Sequence, residues 1–106
     1  MAAVNLNKQQ FEELLAQGKS VLVDYWAPWC GYCRRIAPAY DKIAGQYGDP
    51  IIAKVNIDEE PLLAHQENIE VIPTLVLYKN GQAVDSIVAP QSKAMIDAFI
   101  EQANRK

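Results

Sequence analysis

The amino-acid sequence predicts an α/β fold in which a central mixed sheet of five strands is flanked by four helices. Three observations carry this prediction. Short apolar runs alternate with segments of helical periodicity, and Gly or Pro residues separate many of them. Two late apolar runs meet at Asn80-Gly81, a dipeptide typical of hairpin turns. The 106 residues, half of them hydrophobic, are enough for one domain with its own core.

The first strand and helix follow from patterning near the start of the chain. Residues 3–6 are expected to form a short edge strand, and Asn7 has the side chain of a helix N-cap. Gly18 ends that helix, because glycine is the usual residue after a helical C-terminus. Residues 20–27 then form a nearly continuous apolar strand, which is typical of a strand covered on both faces. The buried stripe of the first helix is predicted to contain Phe11, Leu14 and Leu15.

The middle of the chain adds a long helix, a strand and a short helix. The long helix is predicted over residues 30–47 with a kink at Pro38, whose ring removes a backbone donor. Residues 51–57 are a second buried strand, and a short helix lies within residues 60–68. Successive strand–helix units favour parallel strands joined by right-handed crossovers.

The end of the chain contributes a hairpin and a final helix. Strands over residues 74–79 and 83–88 pair through the Asn80-Gly81 turn, and this antiparallel pairing makes the sheet mixed. Ser92 caps the last helix, and helices then cover both faces of the sheet. The buried stripe of the last helix is predicted to contain Met95, Ile96, Phe99 and Ile100.

The overall charge and hydropathy exclude several function classes. A net charge of -3 and a pI near 5.0 argue against a nucleic-acid binder, which usually carries a basic patch. No apolar run approaches the roughly 18 residues of a membrane span. Residues 1–6 lack the charged and apolar regions of a secretion signal, so a cytoplasmic location is expected. In a reducing cytosol, a lone cysteine pair is more often catalytic or metal-binding than structural.

The only two cysteines, Cys30 and Cys33, lie three positions apart at the predicted start of the long helix. Residues with this spacing share one helix face, so the two sulfurs come within disulfide reach. A bond that closes so short a loop removes little unfolded-state entropy, and it is therefore suited to being made and broken. Redox chemistry is the first hypothesis for this pair. A structural bond or half of a metal site is the alternative, although two ligands do not complete a tetrahedral site.

Five segments of the chain form an ordered set around and beyond the cysteine pair. They are residues 23–33 (VDYWAPWCGYC), 37–38 (AP), 54–58 (KVNID), 72–74 (IPT) and 79–81 (KNG). A C-x-x-C pair alone is a weak signal, but this set resembles the thioredoxin family in order and spacing over nearly the whole chain. The resemblance implies the thioredoxin fold and a protein disulfide reductase that works through a reversible Cys30–Cys33 disulfide.

The resemblance also implies roles for four catalytic residues. Cys30 is the expected nucleophile, because free N–H groups at a helix N-terminus favour an anionic sulfur, as in the family itself. Cys33, one turn deeper, is the resolving cysteine. Asp24 matches the carboxylate that acts as general acid/base for the resolving thiol, and Lys54 matches its partner. The alternative for Asp24 is a cap or a solvated residue at the sheet edge.

A substrate-binding surface is implied around these cysteines. Pro73 matches the family's cis-proline, which presents the backbone of Ile72 to an extended substrate segment. An ordinary trans proline at a strand start is the alternative. Ala27 and Pro28 are expected to complete a flat apolar patch. The residues expected to bind substrate are Trp29, Gly31, Tyr32, Ile72, Pro73 and Ala89.

Two positions depart from the family's pattern. Tyr32 stands where the family usually has Pro, and Ala89 stands where it usually has Gly. The added N–H of Tyr32 is expected to stabilise the Cys30 thiolate, which makes the pair more oxidising than that of a Pro-containing thioredoxin. The alternative is that Tyr32 points to solvent and changes little.

Partners and competing functions follow from the same resemblance. A thioredoxin reductase is the implied electron donor, and disulfide-containing proteins are the implied substrates of a monomeric chain. No cofactor or metal is expected, and no phosphate-binding glycine loop is present.

The alternative enzyme is a more oxidising exchanger or an isomerase with specialised partners. A binding module with incidental chemistry is a different class, against which the cysteine pair and Asp24 argue. Trp29 and Gly31 argue against a glutaredoxin-like use of glutathione.

Overall fold

The computed structural model describes residues 3–105 of the chain. Within this range, five strands and four helices follow one another in the predicted order, which confirms the α/β class and the mixed sheet. The elements are β1 (Val4–Asn5), α1 (Lys8–Ala16), β2 (Val21–Trp26), α2 (Gly31–Gln46), β3 (Ile51–Asn56), α3 (Pro61–Gln66), β4 (Thr74–Lys79), β5 (Gln82–Val88) and α4 (Lys93–Ala103).

The sheet has the strand order β1-β3-β2-β4-β5, so β2 lies at its centre. β1 and β2 both pair with β3 in parallel, while β4 pairs antiparallel with β2 and β5. Asn80 and Gly81 have φ angles of 54° and 81°, the left-handed conformation that a two-residue hairpin turn requires. The predicted hairpin is therefore confirmed, with a register shift at Leu77/Tyr78.

The helix boundaries follow from local hydrogen bonding. The side chain of Asn7 accepts the N–H of Gln10, and the side chain of Gln10 accepts the N–H of Asn7, so this pair forms a capping box at α1. Gly18 follows α1 with a φ of 74°, which glycine adopts without a steric penalty. Ser92 accepts the N–H of Met95 and caps α4, as predicted.

The core lies on both faces of the sheet, and the side chains of β2 alternate between them. Leu22 belongs to the α2/α4 core cluster, whereas Val21, Val23 and Tyr25 belong to a second cluster on the face of α1 and α3. By the same alternation, Asp24 shares the face of Leu22 and lies beneath α2. The α2/α4 core cluster consists of Ala3, Leu22, Ile36, Tyr40, Ile43, Ala44, Ile52, Leu75, Leu77, Ile96, Phe99, Ile100 and Ala103.

Two sequence expectations about packing are wrong in detail. Met95 is 41% exposed rather than buried, because the buried stripe of α4 runs through positions 96, 99, 100 and 103 and Met95 lies beside it. The edge strand β1 is limited to Val4–Asn5, and the N–H of Leu6 makes the last bond, to the carbonyl of Lys54. Among residues 3–105, none of the helices has the length and apolar character that a bilayer crossing requires.

Candidate redox site

Cys30 and Cys33 form a disulfide at the N-terminus of α2, with their Cα atoms 5.3 Å apart. Cys30 is the N-cap residue, in an extended conformation, and Cys33 lies in the first helical turn. The backbone N–H of Cys33 donates to the Sγ atom of Cys30 over 3.1 Å. This arrangement directs a helix-terminal donor at the sulfur of Cys30, and such a donor stabilises an anion there.

The two cysteines differ in burial as predicted, with Cys33 more buried than Cys30. Cys30 is 8% exposed and Cys33 is 3% exposed, so Cys33 is the deeper of the two. Only a small part of the surface of Cys30 is therefore accessible. Within the described part of the chain, no three His, Cys, Asp or Glu side chains are placed to share a metal ion.

Asp24 lies in the interior beneath Cys33. It is 3% exposed and occupies the central strand, so the alternative of a solvated edge residue is wrong. Asp24 and Cys33 line the same small cavity, whose volume is about 50 Å³. The Oδ1 atom of Asp24 is buried and has no hydrogen-bond partner within residues 3–105. This burial raises the pKa of Asp24 from 3.8 to about 7, since an ionised carboxylate is poorly solvated there.

Lys54 is the residue of β3 directly opposite Asp24 in the parallel register. Its charge lowers the pKa of Asp24, although burial outweighs it. The Nζ atom of Lys54 lies 4.9 Å from the centre of the Trp26 ring, which is a cation–π arrangement rather than a direct ion pair with Asp24. Lys54 therefore acts on Asp24 through the field across the cavity.

Three further residues of the cavity were not identified from the sequence: Arg34, Tyr40 and Asp41. The charge of Asp41 raises the pKa of Asp24, adding to the effect of burial. The guanidinium of Arg34 donates to the carbonyl of Pro28 over 2.8 Å. Helical spacing could have placed Tyr40 and Asp41 at this cavity from the sequence, because positions 33, 37, 40 and 41 fall on one face of α2.

The Ile72–Pro73 peptide bond is cis, as the resemblance implied, and the alternative of a trans proline is wrong. A second cis bond, Asp49–Pro50, was not anticipated. The carbonyl of Pro73 accepts the N–H of Ala89 over 2.9 Å, which links the start of β4 to the segment after β5. Within residues 3–105, no backbone hydrogen bond uses Ile72, so its peptide groups are available to a partner strand.

Trp29 and Gly31 are exposed on either side of Cys30. Trp29 is 65% exposed, and its Nε1–H donates to Asp58 over 3.2 Å, which holds the indole beside the disulfide. Ala27 does not belong to this surface, because it is fully buried behind it. Its place in the predicted apolar patch is corrected accordingly, and Pro28 remains exposed.

Tyr32 does not point freely to solvent, which contradicts that part of the alternative, while its effect on the redox pair stays a prediction. Its hydroxyl donates to the carbonyl of Pro90 over 3.0 Å, and its ring packs against the α2/α4 core cluster. The guanidinium carbon of Arg35 lies 5.7 Å from the centre of the same ring. The aromatic residue between the two cysteines is therefore held on several sides.

Ala89 has a φ of 47°, a left-handed conformation that strains any residue with a Cβ atom. A left-handed backbone at this position is consistent with the glycine that the thioredoxin family usually has there. Ala89→Gly should raise the free energy of unfolding by about 1 kcal/mol, because it removes the Cβ repulsion.

Denaturant unfolding of the oxidised protein measures this effect. Ala98→Gly is a matched control on the exposed face of α4, where glycine should instead destabilise by about 0.5–1 kcal/mol. Equal destabilisation by both substitutions would contradict a left-handed Ala89.

Comparisons with known proteins agree with this geometry. The family model for thioredoxin matches residues 2–102. Thioredoxin 1 of Synechococcus elongatus is 49% identical over 86 residues, which are 80% of each chain. Thioredoxin 1 of Nostoc sp. is 45% identical over 103 residues, covering 95% of this chain and 96% of the relative.

The fold of solved thioredoxins matches as well. The Plasmodium falciparum thioredoxin superposes with a TM-score of 0.87 at 33% identity, covering 94% of this chain and 98% of that chain. The close cysteine pair at the N-terminus of α2 fits the redox-active disulfide of such proteins. This chain belongs to the thioredoxin family of protein disulfide oxidoreductases.

Proposed function

We propose that Cys30 is the attacking sulfur and Cys33 the resolving sulfur of this disulfide reductase. The Cys30 thiolate attacks one sulfur of a substrate disulfide, forms a mixed disulfide and displaces the other substrate sulfur, which takes up a proton. Cys33 then loses its proton and attacks the sulfur of Cys30. The mixed disulfide breaks, the second substrate thiol leaves, and the Cys30–Cys33 disulfide remains. Two electrons and two protons pass to the substrate.

The observation that carries this assignment is the hydrogen bond from the N–H of Cys33 to the Sγ atom of Cys30. It places Cys30 at the end of α2 that favours negative charge, and it leaves Cys33 deeper, beside the carboxyl of Asp24. The two environments differ: Cys30 is the less buried sulfur, at the helix end that favours a thiolate, and Cys33 is the deeper sulfur that needs a base.

Asp24 is the proposed acid/base for Cys33. A pKa of about 7 suits a group that exchanges protons at neutral pH, because both protonation states are then populated. Lys54 is proposed to keep that pKa from rising further, since its charge opposes the effect of burial. The shared cavity lets a proton pass between Asp24 and Cys33.

Substrate is proposed to lie along Ile72 and cis-Pro73, with Trp29, Gly31, Tyr32 and Ala89 around it. The unused peptide groups of Ile72 fit the addition of an extended segment, and the exposed indole of Trp29 offers apolar contact. The substrates would be proteins with accessible disulfides.

A thioredoxin reductase is the proposed electron donor, because members of this family generally take electrons from such an enzyme. The chain would then carry electrons from the reductase to protein disulfides as a monomer. We place it in the cytoplasm, since a disulfide of this kind has to be kept reduced between turnovers.

Insulin reduction tests the proposed function, driven in one arm by a thioredoxin reductase with its reduced nicotinamide and in another by a small dithiol. Activity in both arms is expected. Activity with the dithiol alone would point to a specialised donor, and inactivity in both arms would contradict the reductase.

The alternative of a more oxidising exchanger has one observation in its favour, the backbone N–H of Tyr32. It belongs to the first turn of α2, where N–H groups have no intrahelical acceptor and lie near Cys30. Tyr32→Pro removes this donor and should make the reduction potential more negative by about 30 mV, the equivalent of one charge-assisted hydrogen bond.

Equilibrium titration of the two proteins against glutathione measures this difference. Tyr32→Phe is the control, because it keeps the backbone N–H and should keep the potential of the wild type. If the proline variant and the wild type have equal reduction potentials, the backbone N–H of Tyr32 does not influence the potential.

A further inference from the structure

One of the two positions at which this chain departs from the family pattern, Tyr32, is hydrogen-bonded to the residue that follows the other, Ala89. The hydroxyl of Tyr32 donates to the carbonyl of Pro90, the neighbour of Ala89, over 3.0 Å and across 58 positions of sequence. Tyr32 lies between the two cysteines, whereas Pro90 lies in the connection between β5 and α4. A side chain of the redox motif thus reaches a segment that would face the substrate.

The Ala89–Pro90 segment is held from a second side by the cis-proline. The N–H of Ala89 donates to the carbonyl of Pro73 over 2.9 Å. The start of α2, the Ala89–Pro90 segment and the Ile72–Pro73 turn are therefore hydrogen-bonded in a row that begins at the redox motif. Ala89 is left-handed and strained within this row, so the segment depends on its neighbours to keep its conformation.

The ring of Tyr32 is itself fixed in place. It packs against the α2/α4 core cluster on one side, and the guanidinium of Arg35 lies 5.7 Å from the ring centre. A hydroxyl on a ring held in this way can fix the position of its acceptor, because little of the side chain's freedom is left to lose.

We propose that Tyr32 is a positioning residue for protein substrates, which fastens the Ala89–Pro90 segment at a set distance from Cys30. The inference rests on the proposed function and extends it to the choice of substrate. A protein substrate would extend from the sulfur of Cys30 over the Ala89–Pro90 segment, whereas a small disulfide would touch little beyond that sulfur. The hydroxyl should therefore affect affinity for proteins and leave the chemical step unchanged.

Tyr32→Phe tests the proposal, because it removes the hydroxyl and keeps both the ring and the backbone N–H. KM for insulin should rise three- to tenfold, the range expected from one hydrogen bond, with kcat unchanged. The rate of reaction with oxidised glutathione should stay at the wild-type value. Tyr47→Phe is the matched control, since it removes a phenol hydrogen bond to Asp97 at the far end of α2 and should leave KM unchanged.

Hydrogen exchange supplies an independent readout of positioning. In Tyr32→Phe, the amide proton of Ala89 should exchange several times faster, while that of Met95, bonded to Ser92, should exchange at the wild-type rate. A wild-type KM, or an equal loss with insulin and oxidised glutathione, would overturn the proposal. A raised KM with unchanged exchange at Ala89 would also overturn it, because the hydroxyl would then contact substrate directly. Insulin reduction by the wild-type protein tests the proposed reductase function separately. If the wild type is active, each of these results bears on the role of Tyr32 alone.

Discussion

Replacing Cys33 by Ser should give a protein that attacks a disulfide substrate and then remains attached to it. The Cys30 sulfur keeps its place at the N-terminus of α2, so the first exchange proceeds. The second exchange fails, because no sulfur is left at the buried position beside Asp24. Multiple-turnover insulin reduction should fall by on the order of a thousandfold, as happens when one member of a catalytic unit is lost.

Cys30→Ser should be equally inactive in turnover but should form no mixed disulfide. The double variant, with Ser at both positions, supplies the baseline for each measurement. It also addresses the possibility that the chain is only a binding module, because such a module would bind its partners without either sulfur. Retained partner binding by the double variant would favour that module over the exchange mechanism.

Asp24→Asn should slow the resolving step at neutral pH by roughly a hundredfold, the lower end of what general acid–base catalysis contributes. In the wild type, the rate at which Cys33 displaces substrate from a preformed mixed disulfide on Cys30 should rise with pH through an inflection near the pKa of Asp24, about 7. Asn has no ionisable group, so this inflection should vanish. Glu101→Gln, on the exposed face of α4, is the control and should keep the wild-type profile. If the rate of Asp24→Asn still shows an inflection near pH 7, the carboxyl of Asp24 does not take part in the reaction.

The same substitution should stabilise the folded protein. The pKa of Asp24 is raised from 3.8 in the unfolded chain to about 7 in the folded state, so the folded state retains a proton that the unfolded state has lost. The contribution of Asp24 to the free energy of unfolding is therefore complete below about pH 4 and is lost as pH rises to about 7.

Asp24→Asn has no carboxyl to ionise, so its free energy of unfolding should not show this loss. The variant should therefore become more stable than the wild type as pH rises, by on the order of 4 kcal/mol above pH 7. Urea unfolding of the oxidised proteins at pH 4 and pH 8 measures the difference. A pH-independent difference would mean that the pKa of Asp24 is not raised in the folded state. Asp24 would then be ionised at neutral pH and could not hold a proton for Cys33.

Much of the fold could be predicted because it depends on signals carried by neighbouring residues. Asn7, Gly18 and Ser92 mark helix ends through bonds to residues within a few positions. The apolar runs of β2 and β3 indicate strands covered on both faces, and the structure buries them there. The cysteine pair was visible for the same reason, since residues three positions apart at a helix start lie close together, here the N-cap Cys30 and Cys33 in the first turn.

Contacts between distant segments carried no such signal. The bond from Tyr32 to Pro90 depends on how the connection after β5 folds back over α2, which no local pattern specifies. Lys54 was expected only as the partner of Asp24; its register opposite Asp24 and the position of its ammonium group over Trp26 depend on how β2 and β3 pair. Met95 has the composition of a core residue, yet its place in the first turn of α4 leaves it beside the buried stripe.

The most direct test of the account is to identify which sulfur reacts first. The fully reduced wild-type protein would be treated with less than one equivalent of iodoacetamide at pH 7, and fragmentation of the peptide that contains both cysteines would locate the label. Cys30 should carry nearly all of it, because its thiolate is stabilised by the N-terminus of α2 and is the less buried of the two. Labelling mainly at Cys33, or equally at both, would contradict Cys30 as the attacking sulfur.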